Sequence, residues 1–444
     1  MGTENEEWDV VVIGGGPAGM TAAGRAAELG ARVILLEQNN ILGKKLIITG
    51  GGRCNVTNEI HDRHVLVERY GERGKYLHAL FSRFGPADTR ELLRRFGVET
   101  KVEAQGRVFP VSDSARSVRA ALEDYMRAGN VAVRTGRRVT GFRTSSEERP
   151  RITGVITHRG ETIHGRSFIL ATGGTSRPET GSSGDGLAWL TQLNLPVRAS
   201  DTSLVPIRIS DPWVRQLQGV ALSDAALHVE SLSEDSSPHD EYDERTWANG
   251  KRVWSRRGKL LFTHFGISGP LALNSAEAIR DTMAQSTAPL RLLIDMAPNH
   301  AHQDLEQEIT SQAQKNGKRQ LRSLLHEFLP QRVTTGLCEH AGIPPTTPLA
   351  VVSKAQRKRI VALMRGAPCR FVGLLSSEHA VVSSGGLDPE AVDFRTMQLR
   401  DYPELAVLGD ILDFNRQSGG FSLQVCWASG WVAGTALAKE AIGN

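Results

Sequence analysis

The stretch WDVVVIGGGPAGMTAAGRAAELGARVILLE, residues 8–37, decides the fold. Its apolar run over residues 9–13 ends in glycines, which is typical of a strand buried on both faces of a parallel sheet. The Ala-rich segment over residues 17–29 has helical spacing and stops at Gly30. A second apolar run follows over residues 32–37. Strand, helix and strand in this order predict a βαβ unit.

Gly14, Gly16 and Gly19 give this unit the GxGxxG pattern. The first glycine permits a tight turn, the second lets the backbone approach a pyrophosphate, and the third allows close packing of the helix on the strand. The helix N-terminus stabilises the anion. Glu37 ends the second strand and is placed to accept hydrogen bonds from a ribose diol. We therefore predict a dinucleotide site, which by this pattern alone binds either NAD or FAD.

The composition is that of an ordinary globular protein. Of the 444 residues, 40% are hydrophobic and 23% are charged, which favours neither disorder nor a membrane class and suggests two or three domains. The net charge of +4 is smaller than the clustered excess of a dedicated nucleic-acid binder. We therefore expect a small-molecule substrate and no membrane partner, with nucleic acid the less favoured partner and the oligomeric state open.

Cys54, Cys338, Cys369 and Cys426 lie far apart and lack CxxC or Cys/His ligand spacing. We expect reduced thiols, no metal site and a cytoplasmic protein. The acidic N-terminus leads directly into a strand, so neither a signal peptide nor a transit sequence is expected. The charge-free run over residues 417–438 is long enough to span a bilayer but is rich in glycine and serine. We interpret it as a buried loop and helix.

The chain after the βαβ unit first shows helical periodicity and then alternation. Helical spacing over residues 87–96 and 115–128 precedes alternating stretches over residues 131–144 and 151–174. Alternation is typical of antiparallel strands, so we expect a sheet layer distinct from the parallel one.

From about residue 196 the pattern changes to further strand-like stretches. They are interrupted by a polar insert over residues 231–251, which we interpret as an exposed hairpin tip. Periodicity over residues 302–365 predicts a small helical subdomain. No second glycine fingerprint stands between a strand and a helix, so a separate NAD(P)H domain is not expected.

Two further features favour FAD over NAD. The ATGG sequence over residues 171–174 follows an apolar run, and the pair Gly409 and Asp410 follows an apolar strand. Both are features of two-dinucleotide-type flavoproteins, in which an acid near the C-terminus contacts the ribityl chain. A helix beginning near Gly419 would aim its N-terminal amides at the flavin N1 and C2 carbonyl, where negative charge develops on reduction.

Three segments together resemble one bacterial family of FAD-dependent oxidoreductases, which includes 3-dehydro-bile-acid reductases and so-called aminoacetone oxidases. They are KKLIITGGGRCNVTN (44–58), GKLLFTHFGISGP (258–270) and GDILDFNRQSGGFSLQVCWASGWVAG (409–434). The resemblance covers essentially the whole chain and implies an α/β fold with a Rossmann-like FAD-binding domain of the two-dinucleotide-binding type.

The resemblance also implies how the chain is divided. The FAD-binding domain would be split over residues 1–194 and 369–444. A β-rich domain over residues 195–297 and a small helical subdomain over residues 298–368 would be inserted into it.

The fingerprint and the resemblance together predict the cofactor site. The three fingerprint glycines and Glu37 would hold the ADP half, and residues over 45–55 would line the pyrophosphate and flavin side. Asp410, Gly419 and Gly420 would meet the ribityl chain and the ring. The predicted cofactor-binding residues are Gly14, Gly15, Gly16, Pro17, Ala18, Gly19, Glu37, Gln38, Lys45, Thr49, Gly50, Gly51, Arg53, Cys54, Asn55, Ala171, Thr172, Gly173, Gly174, Asp410, Gly419, Gly420 and Phe421. Family members usually read Gly-Gly-Tyr-Asn-Leu-Gln near the C-terminus. Phe421 and Ser422 stand here instead, so a hydrogen bond expected from the Asn amide is weakened or replaced.

Cys54 and His264 are the candidate catalytic residues. Arg53 beside Cys54 would favour a thiolate, but Cys54 lacks a CxxC partner and a packing role is favoured. His264 lies in a glycine-rich turn and could donate a proton or bind an anion, although structural hydrogen bonding is favoured. The basic cluster over residues 251–259 could attract nucleic acid or an acidic substrate, with a solvated hairpin face as the favoured interpretation.

These features predict an FAD-dependent oxidoreductase that transfers a hydride through flavin N5. The leading reaction is NAD(P)H-linked reduction of an activated C=C bond in a small organic substrate, with NAD(P)H bound only transiently. One alternative is a flavin amine oxidase that uses O2. Another is a flavin-containing protein that binds or modifies RNA.

Overall fold

The computed structural model describes residues 7–148, 150–198, 205–232, 251–286, 290–375 and 385–443. The strands are β1 (Trp8–Ile13), β2 (Val33–Leu36), β3 (Thr57–Asn58), β4 (Thr100–Glu103), β5 (Arg107–Pro110), β6 (Ala132–Arg134), β7 (Val139–Thr144), β8 (Ile152–Thr157), β9 (Thr162–Leu170), β10 (Val197–Arg198), β11 (Ile207–Ile209), β12 (Ala221–Ser231), β13 (Lys251–Thr263), β14 (Gly266–Ser268), β15 (Leu290–Asp295), β16 (Ala367–Cys369), β17 (Phe371–Leu374), β18 (Gly386–Leu387), β19 (Val392–Asp393), β20 (Gln398–Leu399) and β21 (Leu405–Val407). The α-helices are α1 (Pro17–Glu28), α2 (Arg63–Glu68), α3 (Leu77–Phe81), α4 (Pro86–Arg95), α5 (Ala115–Ala128), α6 (Asp185–Gln192), α7 (Pro212–Gln216), α8 (Gly269–Gln285), α9 (His302–Lys315), α10 (Leu321–Leu325), α11 (Gln331–His340), α12 (Lys354–Gly366) and α13 (Phe421–Ile442). Shorter 3₁₀ segments lie at Leu46–Gly52, Glu72–Tyr76, Ala104–Gly106, Pro178–Thr180, Leu349–Val351, Pro389–Ala391 and Gly409–Ile411.

The chain divides into two compact units. Unit 1 comprises Met1–Thr202 and Val381–Asn444, and unit 2 comprises Ser203–Ala380. Each unit has its own apolar core. In unit 2 the strands and the helices share one core. The division of the inserted region into a β-rich domain and a helical subdomain stays a prediction.

The main sheet of unit 1 is built around β1. Strands β2 and β9 pair with it in parallel, β6 continues in parallel from β2, and β21 continues in parallel from β9. Val10, Val11 and Val12 are fully buried, as expected of a parallel strand covered on both faces. Strands β7 and β8 join β9 as an antiparallel meander. The predicted α/β class with a Rossmann-like parallel sheet is confirmed. The expectation of a separate antiparallel layer was wrong in part: β7 and β8 are antiparallel but extend the same sheet through β9, and β6 and β9 pair in parallel with β2 and β1.

The C-terminal helix α13 packs closely along α1. A Cβ atom added to Gly430 would lie 2.5 Å from the Ala18 carbonyl oxygen, and one added to Gly434 would lie 2.5 Å from the Ala22 carbonyl oxygen. The two backbones therefore meet where only glycine fits. The charge-free run over residues 417–438 is a loop followed by most of this helix. Within the described ranges, no helix is long and apolar enough to cross a membrane.

Strands β10 and β18 mark where the chain leaves and re-enters unit 1. They pair antiparallel, with Arg198 opposite Gly386. Unit 2 is thus inserted between two chain segments that lie side by side in unit 1.

Unit 2 contains an antiparallel sheet in the order β16, β15, β12, β13, β14, β11, β17. Helices α7 to α12 share its core. Strands β12 and β13 pair up to Ser231 and Lys251. The hairpin tip predicted between them lies, over residues 233–250, outside the described residues.

Candidate functional site

Four loops of unit 1 meet at one edge of the parallel sheet. They follow β1, β2, β9 and β21 and carry Gly14, Glu37, Ala171 and Asp410 respectively. These strands are parallel neighbours in the order β21, β9, β1, β2, so their carboxyl ends share that edge. Open α/β sheets bind ligands just beyond the carboxyl ends of their strands. The structure therefore brings together four of the predicted segments at the expected place.

The three fingerprint glycines face different surroundings. Gly14 has a φ of +105°, and a Cβ atom there would lie 2.5 Å from the Ala171 carbonyl oxygen. A Cβ atom on Gly19 would lie 2.0 Å from the Gly14 carbonyl oxygen. By contrast, a Cβ atom on Gly16 would meet no described atom within 4 Å. Gly14 and Gly19 thus allow internal packing, while Gly16 faces the open space into which a pyrophosphate would fit.

The first turn of α1 is suited to an anion. Pro17 occupies its first position, and no side chain among the described residues caps it. No acidic residue lies in this turn. The N-terminal amides of the helix are therefore available to a phosphate oxygen.

Glu37 is buried and already bound to the glycine turn. Its Oε2 accepts a hydrogen bond from the Gly15 amide at 2.7 Å. Its Oε1 accepts from the backbone amide of Asn39 at 2.7 Å and from the Asn39 side chain at 2.6 Å. A carboxylate oxygen has two acceptor positions, so Oε2 keeps one for a ribose hydroxyl. The role of Asn39 was not predicted from the sequence, because nothing in its local pattern distinguishes it from a turn residue.

The loop after β2 is also joined to the loop that contains Gly181. Gln38 Nε2 donates to the Gly181 carbonyl oxygen at 2.6 Å, and Asn39 Nδ2 donates to the Thr180 carbonyl oxygen at 3.0 Å. These bonds hold the wall of the site on the Glu37 side.

The glycine-rich segment after Lys45 is an irregular turn. Gly50 and Gly51 have φ values of +58° and +69°, which interrupt the 3₁₀ segment. The Thr49 hydroxyl donates to the Leu46 carbonyl oxygen at 2.7 Å. The Cys54 amide donates to the Thr49 carbonyl oxygen at 3.0 Å. This loop lies within unit 1, so it belongs to the same unit as the fingerprint.

The N-terminus of α13 docks on the residues that follow Cys54. A Cβ atom on its N-cap residue Gly420 would lie 2.4 Å from the Thr57 carbonyl oxygen. In the amide orientation that satisfies both ends, Asn55 accepts from the Gly420 amide at 3.1 Å. Asn58 Nδ2 donates to the Gly419 carbonyl oxygen at 3.2 Å, across 361 positions of sequence. Two of the three segments that carry the family resemblance are therefore neighbours in space.

Cys54 is fully buried, and this burial raises the pKa of its thiol to about 12. A hydrogen bond with Thr49 opposes the shift and is the weaker effect. The guanidinium of the adjacent Arg53 pairs with Glu103 and Asp113 and lies 4.2 Å from the centre of the Phe109 ring. A protonated thiol beside an arginine whose charge is already balanced favours the packing role for Cys54. Its part in catalysis stays a prediction.

Asp410 lies between two cations. Its Oδ2 is 3.6 Å from Lys45 Nζ, and its Oδ1 is 3.6 Å from Arg416 Nη1. Lys45 also donates to the Ser176 hydroxyl at 2.7 Å. Asp410 Oδ1 is buried and has no hydrogen-bond partner among the described atoms. A buried acceptor of this kind fits a hydroxyl donor such as a ribityl chain.

Arg416 was not among the residues predicted from the sequence. Its side chain is fully buried, and its Nη2 donates to the carbonyl oxygens of Gly409 at 3.1 Å and Leu412 at 2.8 Å. The available signal was a single arginine just before a glycine pair and a long charge-free run.

The remaining predicted residues also lie in unit 1. Thr172 Oγ1 is buried without a hydrogen-bond partner in the described part of the chain, and Gly173 next to it has a φ of +74°. The Phe421 carbonyl oxygen accepts from the Tyr70 hydroxyl at 2.9 Å. The hydroxyl of Ser422 is likewise buried without a partner among the described residues.

His264 is the one predicted site residue in unit 2. It is exposed in the two-residue turn between β13 and β14, with its ring 4.8 Å from that of Phe265. Its role as a proton donor or anion ligand stays a prediction. The basic cluster over residues 251–259 forms most of β13. Within it, Arg257 Nε pairs with Asp224 at 2.7 Å, while Lys251 and Arg252 are exposed.

The sequence matches the model of one protein family and several characterised proteins. The family is described as the HI0933-like protein Rossmann domain, and its model matches residues 8–436. The ribosomal RNA dihydrouridine synthase of Escherichia coli K12 is 28% identical over 96% of this chain and 97% of that protein. The 3-dehydro-bile acid delta(4,6)-reductase of Clostridium scindens is 27% identical over 97% of this chain and 98% of that protein.

Solved structures share the fold. The 3-ketosteroid delta1-dehydrogenase of Sterolibacterium denitrificans matches 98% of this chain and 100% of its own, with a TM-score of 0.54 and 13% identity. A flavocytochrome c3 fumarate reductase matches 99% of this chain and 79% of its own, with a TM-score of 0.52 and 15% identity. The family model spans nearly all of the sequence, including the glycine turn and most of α13. The chain therefore belongs to the HI0933-like family of FAD-dependent oxidoreductases.

Proposed function

We propose that this protein reduces a C=C bond conjugated to a carbonyl group, with FAD held at the carboxyl edge of the parallel sheet. The observation that carries the proposal is that loops at one edge of the parallel sheet hold both the open space at Gly16 and a buried Asp410 oxygen without a hydrogen-bond partner among the described residues. The names of two nearly full-length relatives support the reaction class. Dihydrouridine differs from uridine by saturation of a ring C=C bond next to a carbonyl, and the two delta(4,6) double bonds of a 3-oxo steroid are conjugated to its carbonyl.

The residues of unit 1 would hold the cofactor by separate contacts. The Gly14 to Gly19 turn and the first turn of α1 would bind the pyrophosphate. Glu37 would accept from the ribose and Asp410 from the ribityl chain. Bound FAD would supply hydride transfer through its N5 atom, a chemistry that no side chain provides.

The N-terminus of α13 would act on the ring electrostatically. This helix has 22 residues and no acidic residue in its first turn. The amides near Gly419 and Gly420 would carry the positive end of the helix dipole towards the ring edge on which negative charge develops. The contacts of Asn55 and Asn58 hold this helix terminus in place.

Anaerobic reduction and reoxidation of the purified protein would test the proposal. The flavin absorbance is followed while NADH, NADPH or an amine is added. A protein reduced by NAD(P)H is then mixed with a 3-oxo-4-ene steroid or with RNA rich in uridine. Anaerobic reoxidation by either acceptor supports the proposal. Reduction by an amine followed by rapid reoxidation in air with peroxide would identify an oxidase, and a protein that takes up no FAD would contradict the whole assignment.

A uridine nucleotide within an RNA chain is the second candidate substrate. It is favoured by the 28% identity over nearly the whole chain with a ribosomal RNA dihydrouridine synthase and by the exposed side chains of Lys251 and Arg252 on β13. Contacts with phosphate would make binding weaken steeply with salt. The double variant Lys251→Glu, Arg252→Glu should then lose RNA binding while steroid turnover and FAD content remain. Equal RNA binding by the variant and the parent protein would contradict a role for β13.

A further inference from the structure

Arg416 is a buried cation with unused hydrogen-bonding capacity. Its side chain is fully buried. Of its five N–H bonds, the two on Nη2 are directed to the carbonyl oxygens of Gly409 and Leu412. Nε and Nη1 are buried and have no hydrogen-bond partner among the described residues. Buried donors of this kind normally have a partner, so three N–H bonds lack the partner that is expected of them.

The charges around Arg416 do not cancel. Arg416 and Lys45 carry two positive charges, and Asp410 between them carries one negative charge, at 3.6 Å from each. The group therefore has an excess of one positive charge. A buried charge is stable only when it is paired and hydrogen-bonded. The described residues supply Arg416 with one ion pair and two hydrogen bonds, but they leave its Nε and Nη1 without a hydrogen-bond partner.

The position of Arg416 in the chain limits what the ligand is. It lies six residues after Asp410 and just before the Gly419 and Gly420 pair. These flanking residues are the ones that would meet the ribityl chain and the ring of FAD. Arg416 Nη1, one of the two atoms with unused donors, lies 3.6 Å from Asp410 Oδ1, so Arg416 is a direct neighbour of a residue of the proposed cofactor site.

We propose that Arg416 is the residue that tunes the reduction potential of the flavin, by donating to acceptor atoms of bound FAD and by placing the excess positive charge of the Lys45, Asp410 and Arg416 group beside the ring. This inference rests on the proposed FAD site and deepens it. Reduction adds negative charge to the ring. A nearby cation in a water-poor site stabilises the reduced form more than the oxidised one, and so raises the potential.

Measurement of the flavin midpoint potential tests this role, because a purely structural arginine would leave it unchanged. We compare the parent protein with Arg416→Gln, Arg416→Lys and Arg198→Gln. Arg416→Gln should lower the ratio of reduced to oxidised flavin at least tenfold at a fixed potential, a shift of about 30 mV for a two-electron couple. Arg416→Lys keeps the charge and should stay within threefold of the parent. Arg198 is two-thirds exposed and 3.6 Å from Asp413, so solvent screens its charge and Arg198→Gln should leave the ratio unchanged.

Asp410→Asn gives a second test of opposite sign. It removes the negative charge between the two cations, so the same ratio should rise at least tenfold when the variant is saturated with FAD. The Asp410→Asn variant provides the test if Arg416→Gln does not fold or does not retain FAD. A ratio within threefold of the parent in Arg416→Gln, or an unchanged or lowered ratio in Asp410→Asn, would overturn the role of Arg416. A parent protein that binds no FAD would instead overturn the proposed function.

Discussion

Gly16 and Gly19 share one sequence pattern but have opposite structural constraints. Gly19 has no room for a Cβ atom, which would lie 2.0 Å from a backbone oxygen, whereas the Cβ direction at Gly16 is open. Gly16 has a φ of −80°, which alanine also adopts. Gly16→Ala should therefore leave the stability of the apoprotein within about 0.5 kcal/mol of the parent but weaken FAD binding at least tenfold, because the methyl group occupies the pyrophosphate position.

Gly19→Ala is the matched comparison. Overpacking of this kind costs typically about 1–3 kcal/mol, so this variant should unfold at lower urea concentration without added FAD. Urea unfolding of the apoproteins and fluorescence titration with FAD separate the two effects. Normal FAD affinity in Gly16→Ala would show that the pyrophosphate does not approach this glycine.

Cys54 should make the stability depend on alkaline pH. Its thiol has an ordinary pKa of 9.0 when exposed, and burial raises this pKa to about 12 in the folded protein. The unfolded chain loses the proton first, so the folded state loses stability as the pH rises from about 9 to about 12, by up to about 1.4 kcal/mol per pH unit. At neutral pH both states are protonated and the effect vanishes.

Cys54→Ala should flatten this dependence. The free energy of unfolding of the variant, measured with urea between about pH 9 and about pH 10, should fall less steeply than that of the parent. The value at pH 7 reports separately the small cavity left by the sulfur. If the free energy of unfolding fell equally steeply with pH in both proteins, Cys54 would not be the group responsible for the pH dependence.

The site residues differed in how well they could be predicted from the sequence. Gly14, Gly16 and Gly19 could be identified because they stand at a fixed spacing next to a strand and a helix, and the structure shows at Gly14 and Gly19 a close backbone approach that only glycine allows. Asn39 and Arg416 could not, since their positions depend on contacts with loops that local periodicity does not reveal. Buried unpartnered donors become visible only when the three-dimensional surroundings are known.

Helix α13 is held against α1 by Gly430 and Gly434. In an exposed helix, replacing glycine by alanine stabilises by up to about 1 kcal/mol. At Gly434 the added methyl carbon would lie 2.5 Å from the Ala22 carbonyl oxygen, so Gly434→Ala should instead destabilise by about 1–3 kcal/mol. It should also weaken FAD binding, because the terminus of α13 forms part of the site. Thermal unfolding with and without FAD measures both effects.

Gly141→Ala in β7 is the control for this substitution. No described atom lies within 4 Å of the position that its Cβ atom would occupy. Its melting temperature should stay close to that of the parent. If Gly434→Ala and Gly141→Ala had equal melting temperatures, the close packing of α13 on α1 at Gly434 would not contribute to stability.

Individual helices and strands were predicted more accurately than the contacts between them. The helix predicted over residues 115–128 is observed as Ala115–Ala128, and the predicted βαβ unit is β1, α1 and β2. The three-stranded sheet of β3, β5 and β4 was not predicted. Its strands have two to four residues, too few for alternation to be recognised. The docking of residues 55–58 on the start of α13 was not predicted, because hydrogen bonds between distant segments leave no periodic signal.

At the scale of the whole molecule, the predicted cofactor site lies in one unit. Every predicted cofactor-binding residue belongs to unit 1, which is assembled from the two ends of the chain. The C-terminal part supplies β21, Asp410 and α13, so the N-terminal fingerprint alone is half of a site. Unit 2 has its own core and carries His264 and the basic strand β13. We therefore expect cofactor binding and substrate choice to be separable.

Excision of the insertion tests this separation. Arg198 and Gly386 face each other in the β10 and β18 pair, so their Cα atoms are about 5 Å apart and a short turn can join them. A protein in which a Gly-Ser turn of about four residues replaces residues 199–385 keeps the whole core of unit 1. It should fold cooperatively and bind FAD with an affinity within about tenfold of the full chain, while turnover of steroid and RNA is lost. The matched chain carrying Gly16→Ala should fold equally well and lose FAD, which shows that retained binding uses the fingerprint. An excised protein that unfolds without cooperativity would show that unit 1 depends on unit 2 for its stability.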